Sequence, residues 1–201
     1  AFLVENASNL YYSFNYENNR QEVDFLSFEE YMGSIDLPQG KELTYRDFSN
    51  WIWRYQQASK IKDTYKLFEE FKGVLTGVQV EAPWLKREEY LRLGVKQSVY
   101  SVKDREKVYE LFEKYLTFLK EGVFFDSNIE AWHRLEKVQP VYDFVIVDEV
   151  QDITNVQLTL ILRGLKNPHH FILCGDSNQI VHPNFFSWSG VKRLFYEQDL
   201  K

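Results

Sequence analysis

The order of apolar and polar positions divides the chain into a long helical stretch and a shorter α/β end. Val108, Leu111, Phe112, Tyr115 and Leu119 recur at three- and four-residue spacing, which lays them along one face of a helix. Ser101 with Asp104 has capping-box spacing at the start of that helix, and Lys120 to Gly122 supplies a basic last turn and a stop. The same start signal, a hydroxyl followed three residues later by an acid, marks Ser27 with Glu30, Thr44 with Asp47 and Ser127 with Glu130. In TYRDFSNWIWRYQQ, Phe48, Trp51, Ile52 and Tyr55 form a second stripe. Helix packing alone requires that spacing, so these residues are expected in a core rather than on a base-stacking platform. Helices are expected to break near residues 38, 77 and 139, where LPQGK, LTGVQVEAPW and VQPVY carry Pro or Gly.

After Pro140 the pattern changes. VYDFVIVD and HFILCGD are short runs rich in β-branched and aromatic residues without polar alternation, the pattern of strands buried on both faces. Between them, ITNVQLTLILRGL has helical length and ends at Gly164. Strand, helix and strand at this spacing predict a βαβ unit with parallel strands and a right-handed crossover. Ligands of open parallel sheets bind outside the carboxyl ends of the strands. There the sequence places Asp148 and Glu149 after the first strand, and Gly175 and Asp176 after the second. Adjacent acids at such an end can divide labour: one holds a hydrated magnesium ion, directly or through water, while the other orients and deprotonates an attacking water. On the Asp148-Glu149 pair alone, the start of a polar loop is the better reading.

Composition narrows the class. The chain has 201 residues, 44% hydrophobic and 17% aromatic, enough to bury a core in one large domain or two smaller ones. No apolar run approaches membrane-spanning length, and AFLVENASNL has neither the basic flank nor the cleavage site of an export signal. The single cysteine, Cys174, excludes an internal disulfide, so a reducing compartment, cytoplasm or nucleus, is expected. His133, His169, His170 and His182 are not spaced as zinc ligands. The net charge of −6 is not that of a dedicated nucleic-acid binder. Bases outnumber acids locally in KIKDTYK, LKREEYLRLGVK and VKDREK, where a solvated surface is favoured over a phosphate-tracking face. Ala1 leads the chain and Met32 is the only methionine, which suggests a piece of a longer protein.

VIVDEVQD, followed at βαβ distance by ILCGDSNQ, resembles motifs II and III of superfamily 1 helicases of the UvrD, Rep and PcrA type. Asp152 after Gln151 favours this branch over the Upf1-like one. The resemblance implies a partial RecA-like P-loop NTPase core, an α/β fold whose parallel strands carry both motifs, with a largely helical 1B-like insertion. The implied division is residues 1–35 as part of the core, 36–138 as the insertion and 139–201 as the core with motifs II and III. FEEFKGVLTG, EEYLRLGVKQS and DREKVYELFEKYL resemble the insertion in diverged UvrD-like domains of large ankyrin-repeat proteins. On the same resemblance, VDFLSFEEYM is a strand and helix entering the insertion, and AFLVENAS is a core strand with a diverged motif Ia behind it.

Position by position, Asp148 looks like the magnesium-binding aspartate of the Walker B motif, and Glu149 like the residue that polarises the hydrolytic water. Gln179 looks like the glutamine that senses the γ-phosphate, with Gly175 and Asp176 shaping its loop, and Gln151 and Asp152 would couple nucleotide state to the core. Trp188, in NFFSWSGV, looks like the tryptophan that stacks on a base, although Ser189 stands where the family has arginine; a buried structural role fits it equally well. ATP and magnesium are the implied cofactors. The implied partners are single-stranded nucleic acid, DNA in preference to RNA, and the remaining helicase domains of the same protein. No GxxxxGK[ST] phosphate loop occurs in these 201 residues, so the chain by itself is expected to hydrolyse nothing. Two alternatives stay open. One is a lapsed helicase-like domain kept as a binding scaffold, and the other is a metal-dependent nuclease using Asp148, Glu149 and Asp176.

Overall fold

Helices follow the apolar stripes through the first two thirds of the chain. The computed structural model describes residues 2–14, 22–59 and 61–176. Its elements in order are α1 (Phe2–Phe14), α2 (Phe28–Ile35), β1 (Lys41–Glu42), α3 (Tyr45–Ser59), α4 (Thr64–Glu69), a π-helical turn (Glu70–Leu75) continuing α4, α5 (Arg87–Leu91), α6 (Val102–Glu121), β2 (Phe124–Phe125), α7 (Ser127–Arg134), β3 (Val145–Val147), a 3-10 turn (Val150–Asp152), α8 (Asn155–Arg163) and β4 (Phe171–Leu173).

The predicted stripes are the core of the helical part. Phe48, Trp51 and Ile52 of α3 and Val108, Leu111, Phe112 and Tyr115 of α6 are buried, with Leu67, Phe71 and Leu75 between them, while Tyr55 and Leu119 pack partly buried at the margin. Aromatic rings dominate that contact: Phe71 meets Phe112 edge to face with centroids 5.2 Å apart, and Trp51 stacks on Phe118 at 5.3 Å. The short parallel pair β1–β2 closes the body, with Lys41 opposite Phe124 and Glu42 opposite Phe125.

β3 and β4 pair in parallel, Val145 with Phe171, Ile146 with Ile172 and Val147 with Leu173, and α8 is the crossover between them. The expected βαβ unit is present. α8 serves two cores at once. Leu158 and Leu162 face the sheet with Val147 and Val150, while Val156 and Leu160 pack against Tyr31 of α2 and Ala131 of α7. Tyr31 also donates from its hydroxyl to the carbonyl of Leu160 at 3.1 Å.

Several expectations are corrected. The strands are not buried on both faces among the described residues: Ile146 is 65% exposed and Ile172 47%, because α8 covers only one side. AFLVENAS is not a strand but the first part of α1, and residues 22–27 have no strand pairing; helix-forming Ala, Leu and Glu prevail there without a partner ladder. The start of α7 is capped by Asp126, whose carboxylate accepts from the amides of Asn128 and Ile129, so Ser127 lies inside the helix. Ser101 stands at the N-cap of α6 but its hydroxyl donates to Asp104 at 2.7 Å rather than accepting from the backbone. The Ser27-Glu30 and Thr44-Asp47 pairs do form reciprocal bonds.

Candidate functional site

Because β3 and β4 run parallel in register, their carboxyl ends open at one edge. The ladder reaches past both strands: the amide of Cys174 donates to Val147 at 2.8 Å, and that of Val150 donates back to Cys174 at 2.9 Å. Asp148 and Glu149 follow β3 here, and Gly175 and Asp176 follow β4. Both acid-bearing ends are therefore brought together, as the strand pattern predicts.

Glu149 makes the turn out of β3 in the left-handed conformation (φ 49°, ψ 41°), and it alone among described non-glycine residues has a positive φ. Such a backbone costs on the order of 1–3 kcal/mol and persists only where neighbours hold it. The holding groups are Val150, with no exposed surface, and Gln151, 5% exposed. Asp148 contributes as well, its Oδ1 accepting from the Glu149 amide at 3.0 Å. The turn keeps both carboxylates at the surface: Asp148 and Glu149 are exposed, and Asp176 is half-buried.

Gln151 joins the two strand ends. Its Nε2 donates to Glu149 Oε2, and its Oε1 accepts from the Asp176 amide at 3.2 Å. Glu149 Oε1 carries no bond among the described residues, so one carboxylate oxygen is fixed while the other faces outward. Glycine is needed at 175 because a Cβ there would lie 2.6 Å from Gln151 Oε1 and 2.8 Å from Val150 Cγ1. Asp152 is exposed at the end of the 3-10 turn. Gln179 and Trp188 lie outside the described residues.

The chain then enters α8 through a seat built by the helical part. Thr154 and Gln157 form a capping box, and Thr154 Oγ1 donates to Asn128 Oδ1 at 2.7 Å. The Val156 amide donates to Gly77 O at 3.2 Å, and Asn155 Nδ2 to Val78 O at 3.1 Å. Asn128 donates onward to Lys72 O at 2.7 Å and to Thr76 Oγ1 at 3.1 Å. Beside it, buried Asp126 accepts from the Tyr115 hydroxyl at 2.7 Å and pairs with Lys72 Nζ at 3.5 Å. Sequence reasoning missed this polar seat. The one available signal was the adjacent pair of cap candidates Asp126 and Ser127.

Among the described residues no three His, Cys, Asp or Glu side chains group as a metal site. Magnesium does not need such a group: it binds through one or two carboxylates and completes its shell with water and substrate phosphates. The exposed carboxylate of Asp148 fits that use, whereas an all-protein cage, as the nuclease alternative requires, is not formed by the described residues. The basic strings are partly consumed by structure. Arg87 pairs with Glu106 and with Glu113 at 2.7 Å. Arg105 is fully buried, donating to the carbonyls of Tyr100, Leu93 and Gly94. No described helix is long and apolar enough to cross a membrane.

Residues 11–192 match the family of UvrD/REP helicase N-terminal domains. The chain is 27% identical over 168 residues to the human TPR and ankyrin repeat-containing protein 1, a match covering 77% of this chain and 6% of that protein. It is 29% identical over 141 residues to an ATP-dependent helicase/nuclease of Oenococcus oeni, covering 67% of this chain and 11% of the relative. A probable DNA helicase II homolog of Mycoplasma capricolum is 38% identical over 58 residues, covering 29% of this chain and 8% of the relative. The chain thus spans only a small part of each relative's length. No solved structure matches it.

Proposed function

Since the chain belongs to the UvrD/REP helicase N-terminal domain family, we propose that it supplies the catalytic edge of an ATP-dependent motor of superfamily 1 that moves on single-stranded DNA. In this reading β3, α8 and β4 are part of a RecA-like core, with motifs II and III at its edge and residues 36–138 as an inserted helical unit. The observation that carries it is the Gln151 amide, which ties Glu149 to the backbone of Asp176 and so fixes two strand-end motifs relative to each other. A solvated polar turn has no use for a buried glutamine that orients an exposed carboxylate.

The roles follow from the geometry. Glu149, held at Oε2 by Gln151, offers Oε1 to a water and accepts its proton as that water attacks. Asp148 points from the same turn and holds magnesium, which when bound neutralises charge on the phosphates. Gly175 lets the Gln151 carbonyl oxygen approach the second strand, so a change at one motif is felt at the other. Gln179 follows as the γ-phosphate sensor, and Asp152 as a contact to the rest of the core. ATP phosphates need a backbone cradle that this chain does not contain, so the upstream part of the protein must provide it.

The test is ATP hydrolysis by the longest form of the protein that carries a phosphate loop, with and without single-stranded DNA. Glu149→Gln is expected to lower turnover by about 10²- to 10⁴-fold while nucleotide binding stays. Absence of stimulated hydrolysis in the parent, with that loop intact, would assign the chain a binding scaffold role instead.

A further inference from the structure

Helix α3 has a second face that the core does not use. Arg46, Asn50, Trp53 and Arg54 are all exposed, and their spacing places them together on one side of the helix. Trp53 is 75% exposed, more than any other described aromatic side chain. A lone exposed apolar residue is ordinary, but its surroundings here are not. Neither Arg46 nor Arg54 has a hydrogen-bond or ion-pair partner among the described residues, whereas Arg87, Arg134 and Arg163 all donate to oxygen acceptors. The acid of α3, Asp47, is turned to Thr44 Oγ1 at 2.6 Å and Lys41 Nζ at 3.3 Å. The face therefore presents two free guanidiniums, an amide and a bare indole.

We propose that this face of α3 binds single-stranded nucleic acid, with Trp53 stacking on a base and Arg46 and Arg54 contacting phosphates. An indole stacks on any base, and guanidiniums pair with phosphate in a bidentate way. From Arg46 to Arg54 the helix rises about 12 Å, which matches roughly three stacked nucleotides at about 3.4 Å each. A protein partner suits it less, because no second large exposed apolar side chain adjoins Trp53 on this face to build a dry interface core. The inference takes the identity of the polyanion from the proposed function, but it names a surface away from motifs II and III.

The experiment is fluorescence anisotropy of a labelled oligo(dT) titrated with the 201-residue chain at several salt concentrations, without nucleotide. Trp53→Ala is expected to weaken binding about 5- to 150-fold, the range for losing one stacked base, and Trp53→Tyr to restore most of it. Arg46→Gln with Arg54→Gln is expected to flatten the slope of log affinity against log salt by about 1.4, two phosphate contacts on a single strand. All four side chains are at the surface, so folding is not at stake. Unchanged affinity in Trp53→Ala, an unchanged slope in the double variant, or dependence on Trp188→Ala alone would each overturn the assignment. Because no ATP is used, loss of this surface with stimulated hydrolysis intact overturns it alone. Binding retained while Glu149→Gln stays fully active overturns the motor reading alone.

Discussion

Asp126→Ala tests the polar seat beneath α8 most directly. The carboxylate is 1% exposed. It caps α7 through the amides of Asn128 at 2.8 Å and Ile129 at 3.3 Å, and accepts from the Tyr115 hydroxyl at 2.7 Å. It also lies 3.5 Å from the ammonium of Lys72, whose side chain is 12% exposed. Losing the cap costs about 1 kcal/mol, and leaving one member of a largely buried ion pair alone costs about 3–5 kcal/mol. The two losses share atoms and do not add fully, so about 4 kcal/mol is expected. That is a large part of the ~5–15 kcal/mol that holds a domain together. Asp126→Asn keeps a good cap but withdraws the charge from Lys72, and about 1–3 kcal/mol is expected. Ser127→Ala removes only the 2.8 Å bond from Lys72 Nζ and should cost about 1 kcal/mol or less. Urea unfolding followed by far-ultraviolet circular dichroism gives the three midpoints, with unchanged slopes required for the comparison. A Ser127→Ala effect as large as that of Asp126→Ala would refute the assignment of the cap and the reasoning built on it.

Other outcomes follow from the same structure. Glu149→Gly should leave the unfolding midpoint unchanged or raise it by up to about 1 kcal/mol equivalent, since the left-handed backbone is relieved at the cost of chain entropy; a clearly lower midpoint would mean the carboxylate itself supports the fold. Burial raises the phenol pKa of Tyr31, Tyr90, Tyr100 and Tyr115, with Glu70 adding to it at Tyr90 and Asp126 at Tyr115. Below about pH 10 the phenols are protonated in both folded and unfolded chains. Above it the unfolded chain loses protons that the native chain retains, so stability falls as pH rises. Phenolate absorbance should therefore appear together with loss of near-ultraviolet dichroism, and phenols that titrate freely in the folded protein would contradict the burial.

Periodicity disclosed what depends on local pattern. The α3 and α6 stripes and the βαβ unit were legible because apolar spacing alone decides which face is buried. The edge holding Asp148, Glu149, Gly175 and Asp176 was legible for the same reason, once strand direction was known. What stayed hidden depends on contacts distant in sequence. Nothing local says that Gln151 reaches the Asp176 amide, or that Asn128 waits for Thr154. α1 misled because Phe2, Leu3 and Val4 read as a strand start while the following residues favour a helix. Asp126 prevailed over Ser127 as the cap because its carboxylate serves two amides, Tyr115 and Lys72 together, which a hydroxyl cannot do.

The seat under α8 also implies an order of assembly during synthesis. Gly77 O, Val78 O and Asn128 Oδ1, which receive Val156, Asn155 and Thr154, all precede them in the chain. The residues of α3 to α7 leave the ribosome first and carry most of their own aromatic core. The roughly 40 residues from Leu135 to the end of β4 need ~2 to 8 s more at ~5 to 20 residues per second. The nascent helical body thus serves as a template on which the acid-bearing loop is laid down last. A lesion in that template would therefore be felt as a failure to mature the catalytic edge, even where every residue of the edge is intact.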